Sequence, residues 1–133
     1  MTSTSRHISE EIDRRADEVY EYVSDPTNIP QWASGLGHAV EEVNGEWFLD
    51  SDMGRIRVAF VERNDLGVLD HDVMLPSGQT FTNPMRVLAD GDRCEVVFTV
   101  RRFPGVSDED FARDADAVAR DLARLKQVLE GAG

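Results

Sequence analysis

The residues able to do chemistry in this 133-residue chain are few, and their spacing narrows what they could do. Histidine occurs at His7, His38 and His71, and the one cysteine is Cys94. None of these stands at a metal-ligand spacing, so no metal centre is predicted. Asp50-Ser51-Asp52-Met53-Gly54 starts like a calcium loop but lacks the full pattern and its closing glutamate. Gly35-Leu36-Gly37 has no third glycine and no phosphate-binding context. There is neither a serine nucleophile elbow nor a Walker loop, and no cofactor is expected. The remaining candidates are His71 and Asn83. An inward histidine in an apolar setting can act as a general acid or base, or can orient a ligand carbonyl. It can equally be a core histidine satisfied by a neighbour. Asn83 can donate to a ligand or cap the backbone beside Pro84. If the two face each other, the simplest outcome is that they bond each other.

The elements that carry these residues follow from periodicity. Ile8 and Ile12 mark a first strand near 6–14. Asp17 and Glu18 open a short helix whose apolar side is Val19, Tyr20, Tyr22 and Val23. Tyr20 and Tyr22 are expected to pack with their hydroxyls in water. Ser24-Asp25-Pro26 stops that helix, and 27–33 makes a second helical turn that delivers Trp32. Asn44-Gly45 is a strong hairpin signal joining strands near 38–43 and 46–52. Trp47, Leu49 and Val40 share one face there, with Phe48, Val43 and Ala39 on the other, and the pattern leaves open which is inward. Further strands are predicted near 55–62, 66–75, 79–88 and 93–101, giving about seven in an antiparallel meander.

Alternation sorts these strands by face. Leu69, His71, Val73 and Leu75 point opposite to Asp70 and Asp72, and the set without aspartates is the inner one. Phe81, Asn83, Met85 and Val87 share a face, as do Ile56, Val58 and Phe60, and Cys94, Val96, Phe98 and Val100. Met53, Met74 and Met85 could supply an adaptable lining. Ser107 caps a final helix of about 23 residues, roughly 35 Å long. Its stripe is Phe111, Ala115, Val118, Leu122, Leu125 and Leu129, with Gly131 as a C-cap. The acids within 108–116 are placed on its solvent side.

Bulk composition sets the remaining bounds. The 26 acidic against 14 basic residues give a net charge of −12, which disfavours nucleic acid as a partner. A lone cysteine allows no internal disulfide and fits a reducing cytoplasm. No apolar run approaches membrane-spanning length, and MTSTSRHISE has no apolar signal core. The whole of 1–133 is expected to be one domain, with residues 1–5 frayed, acting as a monomer or homodimer.

DEVYEYVSDPTNIPQW, NPMRV at 83–87 and PGVSDEDF leading into DLARLKQVLE together resemble the START/Bet v 1-like superfamily, which includes polyketide cyclase/dehydrase-like proteins. The likeness covers about 6–130. One departure is Arg15-Ala16, where members often have proline. The resemblance implies an α+β helix-grip fold, in which a curved antiparallel sheet wraps the long C-terminal helix and two short helices follow strand 1. It also implies a ligand space between helix and sheet. The expected function is therefore binding of a hydrophobic, lipid- or polyketide-like small molecule. Trp32, Phe60, His71, Val73, Phe81, Asn83, Met85 and Phe98 are the expected lining. The alternative is a polyketide cyclase/dehydratase-type enzyme in which His71 shuttles a proton and Asn83 steadies an oxyanion or enol oxygen. A third reading is a subunit whose sheet or helix mainly makes a protein contact.

Overall fold

A computed structural model describes residues 5–33, 35–52 and 54–131. Residues 1–4, whose fraying the sequence predicts, and Met53 lie outside the described residues; Ser5 already belongs to a strand. The elements run β1 (Ser5–Ile12), α1 (Ala16–Val23), a 3-10 turn (Pro26–Asn28), α2 (Ile29–Trp32), β2 (Ala39–Val43), β3 (Glu46–Ser51), β4 (Gly54–Phe60), β5 (His71–Met74), β6 (Thr80–Asn83), β7 (Met85–Asp90), β8 (Arg93–Arg101) and α3 (Asp108–Gly131). This is the α+β helix-grip arrangement.

The strands differ from the expected seven-strand meander. They form two antiparallel sheets, β1-β8-β7 and β2-β3-β4-β5-β6. The expected strand 79–88 breaks at Pro84, which has no N–H for a ladder. Its carbonyl instead accepts from Thr99 N–H at 2.9 Å, on the β8 side. The expected strand 66–75 pairs with β4 only from His71, because the residues before it turn toward β7. The Asp70 carboxylate takes the Met85 N–H at 2.9 Å and also pairs with Arg86. Leu69 N–H donates to Met85 O and Val87 N–H to Gly67 O, each at 2.9 Å, with a bridge between Val68 and Arg86. These bonds stitch the two sheets together. Gly67 has φ +72°, and a Cβ there would lie 2.3 Å from Val87 O, so the close approach requires glycine.

Local chemistry explains the turns. Asn44 and Gly45 take φ +53° and +82°, the positive values of a type I′ hairpin. The Asp25 carboxylate accepts from Thr27 N–H at 3.0 Å and Thr27 hydroxyl at 2.7 Å, which caps the 3-10 turn. Asn28 Nδ2 ties that turn to Tyr22 O at 2.9 Å. Neither tyrosine hydroxyl is left to water alone: Tyr22 OH donates to Gln31 Oε1 at 2.6 Å, and Tyr20 OH accepts from Asn64 N–H at 3.0 Å.

At α3, Ser107 Oγ accepts from Asp110 N–H at 3.0 Å, so the predicted cap is in place. Phe111, Ala115, Leu122, Leu125 and Leu129 are buried, while Val118 is half-buried. The helix lies against β1 and β8 and meets α2. Its far end is not closed by glycine as expected, because the helix runs through Gly131. Arg14 Nε instead donates to Leu129 O at 2.9 Å, Asp13 N–H donates to Glu130 at 2.8 Å, and Lys126 Nζ donates to Glu11 O and Glu130 at 2.7 Å. Inside this frame Ile12, Val23, Ile29, Leu49, Ile56 and Leu125 belong to one core. Leu49 at 0% exposure, in register with Val40 and Ile56, shows that the Val40, Trp47, Leu49 face of the first hairpin is the inward one.

Candidate functional site: a cleft between helix and sheet

Phe60, His71 and Asn83 stand directly opposite one another across β4, β5 and β6, and Val58, Val73 and Phe81 form the next rung. The β5 and β6 members of both rungs, His71 with Asn83 and Val73 with Phe81, line a cleft of about 870 Å³ that α3 closes on its other side. Of the residues expected to line it, Trp32, His71, Val73, Phe81, Asn83 and Phe98 do so. Phe60 and Met85 do not. The Phe60 ring lies against the imidazole, 5.0 Å between centroids, and so forms its backing. Met85 is fully buried at the seam beside Pro84, opposite Phe98 on β8.

His71 is 4% exposed. Its Nδ1 lies 3.0 Å from Leu69 O, two residues back. A carbonyl only accepts, so Nδ1 carries the proton and Nε2 is left with a lone pair. Among the described residues Nε2 has one hydrogen-bond partner, Asn83 Nδ2 at 3.5 Å, a long contact that only weakly occupies it. Phe98 packs edge-on at 5.8 Å. Burial lowers the imidazole pKa below 6.5, outweighing the upward pull of the Leu69 bond, Asp70 and Asp72. The ring is therefore neutral at pH 7, an acceptor in an apolar wall. Trp32 is held by α2 at the same cleft, and its buried indole Nε1 has no hydrogen-bond partner among the described residues.

The helix contributes the other wall, including residues outside the apolar stripe. Ala117, Val118, Asp121 and Leu122 line the cleft, as does Asp114. Asp108, Glu109, Asp110, Asp114 and Asp116 are all exposed as expected, and Asp114, one turn before Val118, also borders the cleft. Asp121 makes no hydrogen bond or ion pair among the described residues, and burial pushes its carboxyl up to about 6, against a smaller pull from Arg120. Its signal was helical: three residues past Val118, it borders the apolar stripe. The rim includes Phe103, whose ring lies 4.6 Å from that of Phe81, and the exposed Arg101, Arg120 and Arg124.

A larger depression, of about 1130 Å³, lies beside α1 and the 63–67 loop. Several of its polar side chains are already paired: Arg63 with Glu21, Arg15 with Asp17, Asn64 with Tyr20. Among the described residues, no unpartnered buried side-chain nitrogen or oxygen lies there, whereas Trp32 Nε1 lies at the smaller cleft, which is therefore the candidate site. Among the described residues no cluster of His, Cys, Asp or Glu could hold a metal ion. No helix among them is long and apolar enough to cross a membrane.

The sheet, the gripped helix and the cleft between them define a START/Bet v 1-like architecture. The chain belongs to the family described as polyketide cyclase / dehydrase and lipid transport, whose model matches residues 3–130. No curated protein matches the sequence. Several solved structures share the fold. The Aha1 dimer from Colwellia psychrerythraea has TM-score 0.74 at 13% identity, over 96% of this chain and 97% of that one. CalU16 from Micromonospora echinospora has TM-score 0.67 at 16% identity, over 96% and 74%. Truncated norcoclaurine synthase from Thalictrum flavum has TM-score 0.64 at 12% identity, over 97% and 96%. At such identities the likeness concerns the fold alone.

Proposed function

We propose that the protein takes up a hydrophobic, lipid- or polyketide-like small molecule in the cleft between α3 and the sheet. The observation that carries this reading is His71: a neutral imidazole in an apolar wall whose Nε2 lone pair, among the described residues, is met by Asn83 Nδ2 at a long 3.5 Å. A buried polar group normally has a full partner. A ligand hydroxyl would supply one here, while the phenylalanines hold the apolar body. A volume of about 870 Å³ suits a ligand of a few fused rings or a short lipid. The acidic surface argues against nucleic acid, and one chain lines the whole cleft, so a monomer would suffice. The single buried Cys94 fits a cytoplasmic setting.

The test is uptake of the fluorescent apolar probe N-phenyl-naphthylamine. Binding should be saturable in the native protein and lost in Ala117→Phe, which fills the cleft from the helix side. Equal uptake by both, with the variant folded by circular dichroism, would overturn the reading. The same lone pair favours a second reading, in which Nε2 acts as a general base in a cyclase/dehydratase reaction and Asn83 steadies the oxygen on which charge develops. Product formation from a poly-β-ketone, abolished in His71→Gln with affinity kept within about tenfold, would support it.

A further inference from the structure

We propose that the cleft selects ligands bearing hydrogen-bond donors, namely hydroxylated aromatic or polyketide-like rings, and that Asp121 accepts one such hydroxyl from the helix side while His71 accepts another from the sheet side. The inference rests on the cleft being the binding site and adds the class of ligand and a specificity residue. Asp121 is a carboxylate half withdrawn from water, with no hydrogen bond or ion pair among the described residues. A ligand that covers it without donating would strip its remaining water and leave an acceptor unmet. Across the cleft, the Nδ1–H to Leu69 O bond fixes Nε2 as an acceptor too. The charged groups bordering the space are Asp114, Arg120 and Arg124 on α3 and Arg101 on β8. The arginines are exposed at the rim, and Arg124 already donates to Gln31 O at 3.3 Å. The carboxylate of Asp121, half-buried where they are exposed, is the charged group met beyond the rim. A fatty acid, whose head is an acceptor at pH 7, finds like charge there; a phenol finds a partner.

The experiment displaces N-phenyl-naphthylamine with three competitors: naphthoresorcinol (a dihydroxynaphthalene), its dimethyl ether, and decanoate. Naphthoresorcinol should compete at about tenfold lower concentration than the ether, the difference expected of a hydrogen bond to a charged group. Decanoate should be weaker still. Asp121→Leu should reduce the preference by weakening naphthoresorcinol alone, leaving the part that His71 supplies. Asp121→Asn, which keeps an acceptor oxygen and the same shape, should retain more of it. Equal competition by diol and ether, a preference unchanged in Asp121→Leu, or tight decanoate binding would overturn the inference and leave the cleft reading standing. Reporter uptake that survives Ala117→Phe would overturn both.

Discussion

At the residue scale, two titratable groups on opposite walls of the cleft pull stability in opposite directions with pH. His71 has a folded pKa below its ordinary value, so the unfolded chain binds protons more readily. Its contribution is whole above about pH 6.5 and is lost as pH falls toward the folded value. Asp121 is the reverse case. Its pKa is raised to about 6, so the folded state holds its proton longer. Its contribution is whole below about pH 4 and is lost as pH rises through 6. Asp121→Asn should therefore raise the melting temperature at pH 7.5, and the gain should vanish near pH 4. A gain that is independent of pH would mean that the carboxyl does not titrate as stated. His71→Leu, which removes the acceptor, should weaken ligand binding by about tenfold. The alternation of 66–75 sufficed to place His71 inward, because two aspartates on the opposite face leave little choice. Asp121 was not legible, because a carboxylate at the edge of a helical stripe reads as solvated until the facing wall is known to be hollow.

At the scale of elements, α3 and the seam between the sheets carry the sharpest expectations. Leu122 is 1% exposed and touches both core and cleft, so Leu122→Ala should cost about 2–5 kcal/mol in denaturant unfolding. A loss under about 1 kcal/mol would contradict its place in the core. Gly67→Ala meets both a positive φ and a backbone oxygen at 2.3 Å, so it should destabilise by more than about 1 kcal/mol. An unchanged midpoint would show that the seam can relax. Asn44-Gly45, Ser107 and the Phe111–Leu129 stripe were readable because each is decided within a few residues. The division of strands at Pro84 was half readable. Proline announces an interruption, but only the Asp70 carboxylate taking the Met85 N–H decides which sheet each half joins, and that contact is fifteen residues away in sequence. Phe60 and Met85 were misplaced for a related reason: alternation gives the side of a strand, not whether a neighbouring ring or strand covers it.

At the scale of the whole molecule, a net charge of −12 on 133 residues implies self-repulsion in the compact state. Raising salt from low to moderate concentration should raise the unfolding midpoint, since screening acts on the folded form first. A midpoint insensitive to salt would show the acids to be locally compensated. The ties that join Arg14, Lys126 and Glu130 to the start of the chain have a mechanical consequence. They clamp α3 at its last turn, and its first turns are pinned as well, by Arg102 on Asp108 and by the buried Phe111 ring beneath the guanidinium groups of Arg6 and Arg102. A beam of 24 residues pinned at both ends does not swing. Amide exchange should therefore be slow at both Phe111 and Leu125, and Arg14→Ala should quicken it in the last turn while leaving the first turn slow.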